Sequence, residues 1–277
     1  MGNVVGSNIA NLFLIISLCA VIKPLHIKKQ TRFIDQPFVV FCTVLLYLII
    51  RNDGFIARGE AIILLCFLIA YLLYTILVAR YGKKINKYKS INEEEIKKER
   101  LLFSKNRVAK ILKRGKTKFE EKFPTVFSIC LIIIGIVLLK FGGDITVNSA
   151  SDIALYMGLS QKLISLTIVA IGTSLPELIT CIHAARKGET DLAIGNIVGS
   201  QIFNILLILG TSAAIMPSSQ AIDFADDIMI LIFGNIIFMI APFLNERHRI
   251  GRVLGATFVI FYCSYIAIQV LENISIQ

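Results

Sequence analysis

Glu177 is a carboxylate in a stretch where carboxylates are costly. It lies deep inside the apolar run LISLTIVAIGTSLPELITCIHAA, and of the 19 acidic residues it is the only one so placed. An ionised side chain at the centre of a membrane helix costs roughly 2.5–3.5 kcal/mol on insertion scales, so such a residue is a functional candidate by default. Its neighbours carry oxygen. Thr173 and Ser174 precede it by four and three residues, which on a helix puts all three on a shared face. Pro176 has no N–H and clashes with the carbonyl of Gly172, which is predicted to turn free. Carboxylate, hydroxyls and released carbonyls together suit a hard cation, held at about 2.3–2.6 Å if it is calcium. The alternative is a proline-kinked helix whose glutamate is satisfied by a neighbour. His183, beside Arg186, reads as a satisfied histidine near a helix end rather than a proton sensor.

A second polar row follows. Asn196, Ser200 and Asn204 step by four along one helix face, and Gly195 and Gly199 form a small-residue face where another backbone can approach. The same pattern occurs at the start of the chain. GNVVGSNIANLFLIISLCAVIKP (Gly2–Pro24) aligns without a gap to GNIVGSQIFNILLILGTSAAIMP (Gly195–Pro217), with 12 of 23 positions identical. Shared leucines are expected of any two membrane helices. The shared Gly2/Gly195, Asn3/Asn196, Gly6/Gly199, Ser7/Ser200 and Asn11/Asn204 are not, and they mark an internal repeat.

The elements that position these residues are apolar. Hydrophobic residues make up 56% of the 277, and mean hydropathy is +0.74. Apolar blocks fall at about 4–22, 37–50, 61–79, 124–141, 160–185, 192–215, 226–244 and 251–271, which predicts an all-α polytopic membrane protein of eight spans. A soluble enzyme, a disordered chain and a disulfide scaffold are excluded. The net charge of +10 suggests a nucleic-acid binder only until it is located. Arg80–Lys122 holds 16 Lys or Arg against 6 Asp or Glu, and the remainder has 13 of each sign. No nucleic-acid partner is expected; the partner is the bilayer. Every second loop is basic, which predicts residues 80–123 in the cytoplasm and both termini outside. The copies Gly2–Pro24 and Gly195–Pro217 then run in opposite senses, the signature of an inverted-repeat transporter. Within the basic segment, Leu101, Leu102, Val108, Ile111 and Leu112 recur at roughly helical spacing.

With GTSLPE at Gly172–Glu177, DLAIGNIVGSQIFNILLILG at Asp191–Gly210 and the Gly2–Asn11 copy on the page, the chain resembles the sodium/calcium exchanger family of cation/calcium antiporters. The resemblance implies a ten-helix fold of two inverted halves that exchanges calcium for sodium by alternating access, with no cofactor, in a bacterial inner membrane. It implies a metal site of Glu177, Thr173, Ser174, the Ala170 carbonyl, Ser200 and Asn204, with Ser7 and Asn11 as first-repeat counterparts. The implied organisation is a partial first half at 1–79, a basic loop at 80–123, and a second half at 124–277 containing the whole second repeat at 158–215. Two departures stand out. Some relatives carry aspartate where this chain has Asn204. The first repeat's own GTS-x-PE helix is absent, so the first two helices of the fold are expected to be missing or supplied by a separate polypeptide.

Rival classes fare worse. No HExxH occurs, no catalytic pair is evident, and Asp226–Asp227 sits at a span edge. No TVGYG-like filter is present. The six cysteines are scattered singly through apolar runs and suggest neither zinc nor disulfides. The remaining alternative is a transport-incompetent remnant or an assembly subunit of a split exchanger.

Overall fold

The computed structural model describes residues 1–101, 124–217, 221–244 and 248–276. Among the described residues seven helices are long and apolar enough to cross a membrane, and a bent pair makes an eighth span: α1 (Gly2–Ile22), α2 (Thr31–Asp53), α3 (Arg58–Arg80), α4 (Ile129–Tyr156), the broken span made of α5 (Gln161–Thr173) and α6 (Leu175–Lys187), α7 (Thr190–Ile215), α8 (Ile222–Phe243) and α9 (Arg252–Asn273). Met1–Leu68 with Phe141–Gln277 make one compact unit, and Ile69–Lys140 a second. Residues 102–123, half of the basic loop and with them Leu102, Val108, Ile111 and Leu112, lie outside the described residues.

Two spans exceed their apolar blocks. α2 begins six residues early because Arg32 and Gln36 are buried within it: the Arg32 guanidinium lies 5.6 Å from the ring centres of both Phe33 and Phe243, and Gln36 donates to Asn235 Oδ1 of α8 at 3.2 Å. α4 runs on through Asp144 and Asp152, which the hydropathy pattern puts in a loop. Helix ends follow local chemistry. Gly54 and Gly188 adopt the left-handed conformation (φ 75° and 84°) that closes α2 and α6.

α1 is the core of the larger unit. Of its most apolar window 78% is buried, against 17% for α3. Ser7, Asn8 and Asn11 are buried in α1, so those side chains must find partners inside the protein. α5 packs along the first half of α1 and α9 along its second half, where Phe13 meets Phe258 and Phe261 with ring centres 5.0 and 4.9 Å apart.

The loops of this unit gather at two ends. At one, β1 (Leu25–His26) pairs antiparallel with β2 (Arg249–Ile250), and Lys28 reaches Asp191 at 2.8 Å. At the other, Ile222 N–H donates to the Gly54 carbonyl at 3.2 Å, and Ser160 N–H donates to Asn273 Oδ1 at 3.0 Å. The loops that alternate in charge along the sequence are thus sorted by end.

Candidate functional site

The broken span turns by 47° at Ser174, where φ is −96° and ψ is 2°. Pro176 sits in the first turn of α6, where its missing N–H is harmless, and Glu177 lies in that same turn, at the positive end of the helix dipole. Ser174 is buried at the bend itself.

α1 reaches this bend because Gly6 lets it. A Cβ at Gly6 would stand 2.6 Å from the Leu166 carbonyl oxygen and 2.7 Å from the Ala170 Cβ, so only glycine permits this approach. The Ser7 hydroxyl then lies 3.4 Å from the Ala170 carbonyl, 3.1 Å from the Thr173 hydroxyl and 3.3 Å from Asn3 Oδ1. Thr173 Oγ1 is also 3.0 Å from Asn3 Oδ1 and 3.0 Å from the Val169 carbonyl. Two hydroxyl hydrogens face the Asn3 amide oxygen and the carbonyls of Val169 and Ala170. Acceptors outnumber donors, which is the electrostatics of a cation site. One turn on, Glu177 Oε2 is buried with no hydrogen-bond partner among the described residues.

A second junction joins the two copies. Asn11 donates to the Ser200 hydroxyl at 3.2 Å, and Asn204 donates to Asn8 Oδ1 at 2.9 Å. Moving forward from Asn8 to Asn11 in α1 means moving back from Asn204 to Ser200 in α7, so the copies cross antiparallel. Asn11 Oδ1 and Asn8 Nδ2 are left without partners. Both copies loosen into π-helical turns at the matching place, Ala10–Ile15 and Asn204–Leu209. Such turns disturb the backbone ladder and recur at functional sites.

Of the eight expected residues, Ser7, Ala170 and Thr173 meet at the bend, Asn11 pairs with Ser200 and Asn204 pairs with Asn8, whereas Glu177 and Ser174 border the bend without a side-chain bond to the others. No group of three His, Cys, Asp or Glu gathers among the described residues, so the oxygens are hydroxyls, amides and carbonyls, the set for a hard cation rather than a transition metal. Sequence reasoning left Asn3 and Asn8 out of the site. Asn8 falls off the four-residue row, but its match in the second copy is the equally buried, polar Gln201. Asp227 was also missed: at 1% exposure it is buried where a span-edge residue was expected. The small-residue face is occupied in one copy only. Gly2 and Gly6 are sealed by α5, whereas at Gly195 and Gly199 a Cβ would meet nothing among the described residues.

Known proteins resemble the chain along most of its length. The chain is 31% identical over 283 residues to the sodium/calcium exchanger MaX1 of Methanosarcina acetivorans, covering 97% of this chain and 79% of that protein. It is 30% identical over 256 residues to the inner membrane protein YrbG of Escherichia coli, covering 92% and 72%. The sodium-calcium exchanger NCX_Mj superposes with a TM-score of 0.66 at 26% identity, over 96% of this chain and 75% of the other. A family model described as sodium/calcium exchanger protein matches residues 1–77 and 127–271. With that match on both sides of the basic segment and an inverted-repeat antiporter fold in common, the chain belongs to the sodium/calcium exchanger protein family.

Proposed function

We propose that this antiporter moves calcium against sodium by alternating access, binding the transported cation where the broken span meets α1. The carrying observation is Glu177, whose buried Oε2 has no donor yet lies one turn from an acceptor-rich cluster. Glu177 supplies the negative charge. Thr173 and Ser174 supply hydroxyl oxygens and Ala170 a carbonyl, while Ser7, Asn11, Ser200 and Asn204 present the facing oxygens of the two copies. The antiparallel crossing at Asn11–Ser200 supports two related arrangements, one open to each side. The end that gathers Lys23, Lys28, Lys29, Arg186, Lys187, Arg249 and Arg252 faces the cytoplasm of a bacterial inner membrane, with residues 80–123, and both termini lie outside. Residues 1–79 and 124–277 belong to opposing halves.

Sodium-gradient-driven uptake of radioactive calcium into vesicles bearing the chain tests this reading. Glu177→Gln is expected to abolish uptake while membrane insertion persists, and unchanged uptake would overturn the assignment.

A second reading rests on the open face at Gly195 and Gly199. A further helix bearing its own carboxylate seats there, as α5 seats on Gly2 and Gly6, and completes the charge balance for a divalent ion. Supplied by a separate polypeptide, it would make this chain one subunit of a split exchanger. Co-expression with a helix pair ending in GTS-x-PE tests this: uptake that appears only with the pair supports it, and full uptake without the pair overturns it.

A further inference from the structure

Two cavities flank the start of α5. One, of about 740 Å3, is lined by Asn3, Ser165, Ser212, Asp223 and Phe224 among others, and so reaches the oxygen cluster through Asn3. The other, of about 420 Å3, is lined by Asp226, Asp227, Tyr265, Gln269 and Glu272. Lys162 is the one residue that lines both. Its ammonium lies between them, 3.6 Å from Asp227 Oδ2 of the second cavity and 5.6 Å from the ring centre of Phe224 of the first.

The Asp227 side chain is 1% exposed, and Oδ1 is taken by the Tyr265 hydroxyl at 2.7 Å and Gln269 Nε2 at 3.1 Å. Among the described residues Oδ2 has no hydrogen bond, and the Lys162 ammonium is its ion-pair partner. α8 supplies the carboxylate and α9 fixes its orientation. Lysine is a point charge on a flexible four-carbon stem, so where it rests is decided by its counterion. Released, it has the first cavity to turn into, where Asp223 is the only acidic lining residue. A positive charge at the mouth of a cation path repels the ion and slows its arrival.

We propose that Asp227 is a positioning residue that holds the Lys162 ammonium back at the edge of the cavity leading to Asn3 and so keeps that approach passable to cations. This rests on the cation site proposed above, and its test is chosen to work without transport. A cysteine at Ser212 reports the potential in the first cavity through its reaction rates with two methanethiosulfonates, one carrying trimethylammonium and one sulfonate. The same protein without that cysteine gives the background. Asp227→Asn is expected to slow the cationic reagent and speed the anionic one, shifting their rate ratio about tenfold. Adding Lys162→Gln is expected to return the ratio to its starting value. If Asp227→Asn fails to accumulate, Tyr265→Phe, which frees the carboxylate from one anchor, should give a smaller shift that Lys162→Gln also removes. Equal changes with both reagents, or a shift that survives Lys162→Gln, would show a merely structural role and overturn the proposal. Glu177→Gln should leave the ratio unchanged, so loss of the ion-site reading and loss of this one remain separate results.

Discussion

Asn11 of α1 and Ser200 of α7 share a hydrogen bond of 3.2 Å, and they are not equivalent positions. In the repeat alignment Ser200 matches Ser7 and Asn204 matches Asn11. A bond between unlike positions is what a two-fold crossing produces: each helix offers its later polar residue to the other's earlier one. On the other side of the crossing, Asn204 takes Asn8 rather than Ser7, because Ser7 is engaged by Ala170 and Thr173 of α5. The repeat is therefore symmetric in sequence and asymmetric in its contacts.

Ser200→Ala removes the acceptor of an amide whose other atom, Asn11 Oδ1, already has no partner. A buried amide left wholly unpaired costs about 1–3 kcal/mol. Earlier thermal unfolding in detergent is the expected result.

The two glycine faces predict opposite responses. Gly6→Ala drives a methyl into the Leu166 carbonyl and should destabilise by about 1–3 kcal/mol, as overpacking does. Gly199→Ala meets open space in the isolated chain and should be neutral, or stabilising by about 0.5–1 kcal/mol through helix propensity. If a further helix seats on that face, Gly199→Ala should weaken its binding. Comparing unfolding with and without a co-expressed helix pair reads both effects.

Glu177→Asp keeps the charge but withdraws it by one methylene. Calcium uptake is expected to fall at least tenfold in apparent affinity, whereas Glu177→Gln abolishes it. Equal activity in the two variants would mean that charge is not what the residue supplies.

Sidedness is checked at two exposed sites. Cysteine at Glu189, beside the Lys28–Asp191 pair, should resist an impermeant thiol reagent in intact cells, while cysteine at Asn52, at the other end of the unit, should react. The reverse pattern would invert the orientation.

The sequence was most informative where a residue type conflicted with its surroundings. Glu177 in an apolar run and the repeated Gly-Asn pattern stood out because lipid makes such residues costly, and the structure brings Ser7, Ala170 and Thr173 together as the motif implied. Asp227 gave no such sign. It sits beside Asp226 at the start of an apolar block, and what buries one and not the other is Tyr265 and Gln269, 38 and 42 residues later. The length of α2 was hidden for a related reason: Arg32 and Gln36 look like loop residues until Phe243 and Asn235 supply their partners. Hydropathy reads each segment against lipid, and these segments are solvated by one another.

The short ribbon of Leu25–His26 with Arg249–Ile250 has a consequence for biogenesis. It joins residues more than two hundred apart, and α9, which follows it, packs against the second half of α1. The most enclosed helix is therefore made more than two hundred residues before one of the helices that encloses it. Contacts of such high sequence separation form late, after a long loop has been closed. Until α5 and α7 are made, Asn3, Ser7, Asn8 and Asn11 must wait in the bilayer without the partners they have in the fold, exposed to wrong ones. A chaperone-like insertion factor that shelters a polar helix until its partner helices arrive should be needed for full yield. Truncation before Arg249 should leave α1 open to degradation.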